Sequence, residues 1–292
     1  MNKHGIVAKA GLSEADFVQV RHLEAICNQA EKINVKLNWE LMRSRTTGAI
    51  SDFCYFDQGQ LVGYAPLDGF GDQYEVTALV YPAHRRQGIF RQLFAAARAE
   101  ARQRRAGQLL LVNYRASTSG NATVVRLALP YHNSEYHMEA QADALPPLPA
   151  SQIRLVHATS ANVGQLARLM AINFGAGEWN RQAALAADIA RGDGRYFLAE
   201  VESESVGHIG VVTSATEAYI RAVGIIPEWR GRGYGRQLLA AMVQKLLADG
   251  FQHFSLDVAT DNRNALSLYQ SCGFRETNIY DYYTVPLDAE DR

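Results

Sequence analysis

Two kinds of apolar spacing alternate along this chain. Short apolar runs bounded by turn residues read as strands, and longer stretches with apolar positions three and four apart read as helices. In the second half, the pattern predicts strands at 152–156, 195–202, 206–214 and 218–226. Helices are expected at 160–173 and 181–191. In the first half, 14–37 reads as helix, and 52–57 and 60–67 read as strands around the hairpin turn Asp57-Gln58-Gly59-Gln60.

The second of these halves repeats the first. Val76–Tyr81 and Ile220–Ile226 are apolar strands, each closed by a proline, Pro82 and Pro227. Six residues on stands a shared glycine, Gly88 and Gly233, and an amphipathic helix follows, to about Arg105 and about Asp249. A further strand comes next, at 108–114 and 251–258, and an Asn-Ala pair opens one more helix at Asn121 and Asn264. Gly88 to Asn121 is 33 residues and Gly233 to Asn264 is 31. Between the copies lies Ala142–Ala150, with prolines at 146, 147 and 149. Proline removes a backbone donor and forbids a helix, so this segment reads as a stiff linker. The expected division is therefore 1–141, linker 142–150 and 151–292.

Composition narrows the class. The 292 residues are 48% hydrophobic and 20% charged, as in ordinary globular chains. Twenty-nine basic against thirty acidic residues lack the excess that nucleic-acid binders show, so that partner is not expected. Cys27, Cys54 and Cys272 form no zinc spacing and cannot all pair with one another, which favours a reducing, cytoplasmic setting and no metal. No long apolar run follows the N-terminal charges, and none approaches the ~20 residues of a membrane span, so neither a signal peptide nor a membrane partner is expected.

The chemistry concentrates after the proline of the second copy. Arg230-Gly231-Arg232-Gly233-Tyr234-Gly235 joins a strand to a helix. Glycines let backbone N–H groups approach a ligand, and a helix start offers unpaired donors and a positive dipole end. Such a loop suits a pyrophosphate, and its arginines add counter-charge. A plain surface turn is the competing reading. Downstream stands Asn264-Ala265-Leu266-Ser267-Leu268-Tyr269-Gln270-Ser271-Cys272-Gly273-Phe274.

These residues resemble the GNAT superfamily of acyl-CoA-dependent N-acyltransferases. Arg230, Gly233 and Gly235 match the fixed positions of its Arg/Gln-x-x-Gly-x-Gly/Ala loop, and 264–274 is similar to its Asn-Ala-x-x-x-Tyr-x-x-x-Gly-Phe signature. The resemblance is strong over about 195–285 and extends through the repeat to about 50–140. It implies an α+β fold of two tandem GNAT-like units, each a mixed, mostly antiparallel sheet flanked by helices, a layout shared with mycothiol synthase. It also implies acetyl-CoA as co-substrate and an amine acceptor, a small molecule or a peptide.

The same resemblance implies roles. The loop, residues Arg230, Gly231, Arg232, Gly233, Tyr234 and Gly235, would hold the diphosphate. The backbone of Val223, Gly224 and Ile225 would hold pantetheine, with Asn264 beside that arm. Tyr269 would donate the proton to the leaving thiolate, a task a phenol suits because it is protonated at neutral pH. Asn264 and Tyr269 lie about 140° apart around one helix, so they do not share a narrow face. A core aromatic is the plainer reading of Tyr269. The base is Glu217, ten residues before Pro227 as in bacterial acetyltransferases of ribosomal-protein N-termini, or a water chain; Glu200 and Glu202 are neighbouring alternatives. Glu217 also reads as a solvated strand start. Trp179, Tyr280, Tyr282 and Tyr283 are candidates for the acceptor pocket.

The first copy departs from the pattern. Arg85 and Gly88 remain, but Phe90 stands where Gly235 does and Arg126 where Tyr269 does. An arginine stays charged and cannot act as the acid. Glu75 is a possible base with a different spacing. The copy reads as degenerate, structural or CoA-binding without turnover. Arg98, Arg102, Arg104 and Arg105 read as a solvated helix end. After Gly273 only 19 residues remain, too few for two long final strands, so each unit lacks its last strand or borrows pairing from the other half. The expected activity is acetyl-CoA-dependent N-acetylation in the second copy; the alternative is a non-catalytic acyl-CoA-binding or sensory protein.

Overall fold

The computed structural model describes residues 4–45, 48–70, 72–175, 182–191, 195–214 and 217–288. Two compact units divide the chain: unit 1 is Met1–Ser134 with Asn278–Arg292, and unit 2 is Glu135–Thr277.

Unit 1 begins with β1 (Gly5–Lys9) and α1 (Glu14–Glu31). Ser13 and Asp16 form a reciprocal capping box at the start of α1. The helix stops at Lys32, left-handed at φ 55°, short of the Leu37 expected from the sequence. A short α2 (Trp39–Ser44) follows, then β2 (Asp52–Asp57), β3 (Gln60–Phe70), β4 (Gln73–Val76) and β5 (Leu79–Val80). After a 3-10 turn come α3 (Ile89–Gln103), β6 (Gln108–Tyr114) and α4 (Thr118–Leu127). The sheet runs β1-β2-β3-β4-β6, and its last strand is β13 (Arg275–Thr284).

Unit 2 holds β7 (Tyr131–Gln141) from Glu135 onward, β8 (Arg154–His157), α5 (Val163–Phe174), α6 (Gln182–Arg191), β9 (Arg195–Val201), β10 (Glu204–Thr213) and β11 (Glu217–Ile225). A 3-10 turn at Pro227–Trp229 leads to α7 (Tyr234–Ala248), β12 (His253–Ala259) and α8 (Arg263–Ser271). Its sheet runs β8-β9-β10-β11-β12-β7. The β4–β6 and β11–β12 pairs are parallel, and the other pairs that build the two sheets are antiparallel. Each unit is thus a mixed, mostly antiparallel α+β fold.

Each sheet is completed by a strand from the other half of the sequence. Tyr280–Thr284 of β13 pair with Tyr114–Leu110 of β6, and Glu135–Gln141 of β7 pair with Ala259–His253 of β12. This is the borrowed pairing that the short C-terminus anticipated. It also moves the division between units away from 142–150. Those residues do not act as a free linker: Ala142–Ala144 form a 3-10 turn, Leu145 and Leu148 pack on the unit 2 core, and Pro146 lies against Gly273. Apolar linker residues gain more from burial than from spanning solvent.

Helices cover both faces of each sheet. In unit 2, Leu238, Met242 and Val243 of α7 pack on Ile220, Phe254 and Leu256, while Leu166 and Met170 of α5 pack on Tyr196 and Leu198. Unit 1 repeats this with Leu93 and Ala97 of α3 against Val62 and Leu111, and Phe17 and Leu23 of α1 against Cys54 and Tyr64.

The candidate site sits where paired strands part. β11 pairs with β12 only from Glu217 to Tyr219, so Ile220–Ile225 leave that neighbour. In unit 1, β4 pairs with β6 from Gln73 to Val76, and β5 then pairs with β3 alone. Both units therefore open a cleft between parallel strands at the end that leads into the glycine loop. Among the described residues, no helix is long and apolar enough to cross a membrane.

Candidate functional site

The unit 2 loop is built from its strand outward. Pro227 sets the 3-10 turn, and Arg230 then folds back: its Nε donates to the Ile225 carbonyl at 2.8 Å and Nη2 to Asn173 Oδ1 at 2.8 Å. This arginine pins the loop to the strand end. Gly231 and Gly233 follow at φ 75° and 79°, the left-handed region that favours glycine, and open space lies where each would carry a Cβ. Gly233 caps α7 with no side-chain hydrogen bond. Gly233 thus presents first-turn N–H groups with no side-chain acceptor, a cradle suited to phosphate oxygens. Arg232 stacks over Trp229 at 5.2 Å, beside Tyr234.

Gly235 has a different duty. A Cβ there would lie 2.7 Å from Leu268 Cδ1 on α8. Its small size therefore serves the packing of two helices. Gly224 is also a packing glycine, since its Cβ would meet Asn173 Nδ2 at 2.6 Å and His208 Nε2 at 2.8 Å. Val223 lies half-buried against the unit 2 core and Ile225 is buried.

On α8, Asn262 is the capping residue, its side chain accepting from the Ala265 N–H, and Asn264 is exposed in the first turn. Tyr269 is buried next to Phe274, and burial pushes its phenol up to about 12. It is therefore protonated across the working range of most enzymes. Both readings of Tyr269 meet here, because it is a core aromatic and also carries a protonated hydroxyl.

Glu217 stands at the closed end of the cleft. Its carboxylate accepts from the buried Ser255 hydroxyl, and its backbone is tied to Ser214. Six residues separate it from Val223, about 20 Å of extended strand. Along the same face, the Tyr219 hydroxyl donates to Asp257 at 3.1 Å, and Asp257 pairs with His137 at 2.6 Å. Glu200 is engaged by Arg154. Trp179 lies outside the described residues. Tyr280 and Tyr282 are placed by the strand exchange in unit 1, buried, with the Lys36 ammonium donating to the Tyr282 hydroxyl at 2.8 Å. They are not part of the C-terminal unit for which the sequence suggested them; Tyr283, half-buried, shares that placement.

Unit 1 keeps the loop in outline. Arg85 Nε donates to the Val80 carbonyl at 3.1 Å, Arg86 takes the Gly231 position at φ 66°, and Gly88 caps α3 at φ 82°. The guanidinium of Arg85 pairs with Glu31, which also accepts from Ser117 and Ser119. The cleft beside this loop encloses about 2100 Å³, between α3 and α4 and reaching α1. Phe90, stacked on Phe94, lines it where unit 2 packs helix on helix. Arg98, expected on a solvated face, is 7% exposed and also lines this cleft, and desolvation lowers its pKa.

Two residues of the unit 2 site escaped the sequence reading. His208, fully buried, donates to the Ala222 carbonyl, and Asn173 bridges it to Arg230. Their signal was a histidine inside the apolar run Val206-Gly207-His208-Ile209. Among the described residues, no group of three or more His, Cys, Asp or Glu is placed to hold a metal ion.

Comparison with known proteins agrees with this double layout. A GCN5-related N-acetyltransferase from Sphaerobacter thermophilus superposes with a TM-score of 0.76 at 19% identity, over 98% of this chain and 97% of that one. A tandem GNAT protein from the clavulanic acid biosynthesis pathway superposes at 0.70 with 20% identity, over 98% and 99%. In sequence, the N-acetyltransferase YycN of Bacillus subtilis, itself uncharacterized, is 40% identical over 63 residues, 22% of this chain and 40% of that protein. The match to this curated relative thus spans less than half of its length. Residues 18–127 and 166–274 each match the acetyltransferase (GNAT) family. The chain belongs to that family, and carries its domain twice.

Proposed function

We propose that the chain is an acetyl-CoA-dependent N-acetyltransferase working in unit 2, by direct attack of an amine on the thioester in a ternary complex. Two observations support this reading: an uncapped helix start behind Gly231 and Gly233, and a buried Tyr269 whose phenol is pushed up to about 12. The loop holds the diphosphate, and the Val223–Ile225 backbone, released from β12, pairs with the pantetheine arm. An N–H of that stretch polarises the thioester carbonyl as an oxyanion donor.

Tyr269 acts on the leaving thiolate. A phenol near 12 is a weaker acid than a thiol near 8.5, so full proton transfer would run uphill. Its contribution is a hydrogen bond that strengthens as charge develops on sulfur, with solvent completing the protonation. Glu217 takes the proton of the attacking ammonium through intervening water, because the strand distance to Val223 rules out direct contact. The acceptor is a small amine, an antibiotic, an amino acid or a peptide N-terminus. Cys27, Cys54 and Cys272 are buried and, among the described residues, in no disulfide, which suits the cytoplasm.

A second reading draws on unit 1. Its wide cleft, preserved loop backbone and Arg126 in place of the acid suit CoA binding without turnover, as in a sensor. Acetyl-CoA turnover across an amine panel separates the two. The enzyme releases CoA only when an acceptor is present; a sensor binds acetyl-CoA with no acceptor-dependent release.

A further inference from the structure

His208 does not touch the loop, yet it joins the loop to the open edge of the cleft. β10 and β11 are in register at His208↔Gly224 and again at Gly210↔Arg221, so β11 spends one more residue than β10 between these points. This is a β-bulge, and Ala222 lies in it at φ 51°. A bulge leaves a residue without its ladder partner, and here the His208 ring supplies one: Nδ1 lies 2.7 Å from the Ala222 carbonyl. On the other side, Nε2 lies 3.1 Å from Asn173 Nδ2.

The Leu169 carbonyl also lies beside the ring, and Asn173 decides the donor roles. A guanidinium only donates, so the Asn173 atom bonded to Arg230 is the carbonyl oxygen. The Asn173 amide nitrogen therefore faces His208 and donates to Nε2. Nε2 is then bare, and Nδ1 carries the hydrogen given to Ala222. Burial drives the His208 pKa down to about 4, so this neutral tautomer persists at physiological pH. Both ring nitrogens are engaged and the side chain is 0% exposed, so His208 is not a proton carrier for substrate.

We infer that His208 is a positioning residue of the acetyl-CoA site: through Asn173 it fixes the Arg230 loop relative to the bulged stretch of β11 that has left β12. This rests on the unit 2 reading above. The loop and the strand grip opposite ends of one elongated ligand, so a shift between them costs affinity at both. Gly224 is the sequence trace of this relay, since any side chain there would collide with both His208 and Asn173. Unit 1 lacks the relay. In matching register, Tyr64 and Leu79 replace His208 and Gly224, the Tyr64 hydroxyl donates to Asp52, and Arg85 pairs with Glu31 instead.

The test is a double-mutant cycle on the full chain, read as acetyl-CoA affinity by calorimetry and as kcat and KM. His208→Asn keeps a donor near the Nδ1 position and loses the contact with Asn173; Asn173→Ala breaks the same contact from the other side. Each is expected to weaken acetyl-CoA binding about tenfold, with kcat falling less than KM rises, and the double variant is expected to match either single one. Affinities within twofold of the parent in folded variants overturn the inference, and so do losses that multiply independently. Should a variant misfold, the imidazole ¹⁵N spectrum of the parent still decides. A bare Nε2 and a protonated Nδ1, unchanged from pH 5.5 to 8, are expected; the opposite tautomer overturns the relay. A parent that binds acetyl-CoA but acetylates nothing removes the enzyme reading while leaving this cycle measurable.

Discussion

The two glycine loops share a backbone and little else. From Pro82 and from Pro227 the chain makes the same 3-10 turn, then places two left-handed residues four and six positions after the proline, then starts a helix with no side-chain cap. In both, an arginine Nε reaches back to the preceding strand. Yet unit 1 achieves the first left-handed position with Arg86 and carries Phe90 where unit 2 needs Gly235. Loop shape is therefore set by the strand-to-helix turn and its arginine, and glycine lowers the cost of that shape without dictating it. What separates the copies is the packing behind the loop. Gly235 lets Leu268 close on α7, whereas Phe90 faces a wide cleft and Val125, the counterpart of Leu268, is 78% exposed.

The largest effect expected is on folding. If the units are completed by exchanged strands, chains cut at 142–150 leave β6 without β13 and β12 without β7. Neither 1–141 nor 151–292 should be soluble and monomeric alone, because each exposes an unpaired sheet edge beside a buried core. Size-exclusion chromatography of both pieces checks this; two well-behaved monomers would contradict it.

Next comes the packing glycine. Gly235→Phe imposes the unit 1 residue on unit 2 and should lower stability by roughly 1–3 kcal/mol, as overpacking does. Acetyl-CoA affinity should drop about tenfold as α8 is pushed away. Adding Leu268→Ala makes room for the ring and should recover most of both losses. Recovery of neither would return Gly235 to the phosphate contact expected from sequence alone.

The smallest effect is at Arg86. Arg86→Gly relieves a left-handed side chain and should raise the melting stability of the fold by ~1 kcal/mol at most, with the loop unchanged. A clear loss of stability would mean that the guanidinium, not the backbone, holds the unit 1 loop.

Much of the fold was legible because repeated punctuation marked it. The prolines at 82 and 227, the glycines at 88 and 233 and the Asn-Ala pairs fixed both copies and the family. The exchange of β7 and β13 was visible only as a shortage of residues after Gly273. Periodicity within a strand says nothing about which neighbour it pairs with, so Tyr280 and Tyr282 were placed in the wrong unit. Ala142–Ala150 misled for a related reason: its prolines signalled stiffness, while Leu145 and Leu148 signalled burial. His208 and Asn173 are 35 residues apart, and only the closure of α5 onto β10 brings them together.

The central claim is that unit 2 performs the transfer with Tyr269 at the leaving sulfur. The most direct measurement is steady-state acetyl transfer by Tyr269→Phe, with acetyl-CoA affinity taken in parallel. Removal of one hydroxyl keeps the ring and its contact with Phe274. The account predicts a fall in kcat of about 10²-fold or more with acetyl-CoA binding nearly intact. Because the phenol is held near 12, parent and variant should show the same rate profile up to pH 10. Arg126→Tyr in the same assay should create no activity in unit 1, whose loop lacks the packing described above. A Tyr269→Phe protein within twofold of the parent would contradict the account and leave Tyr269 as a packing residue.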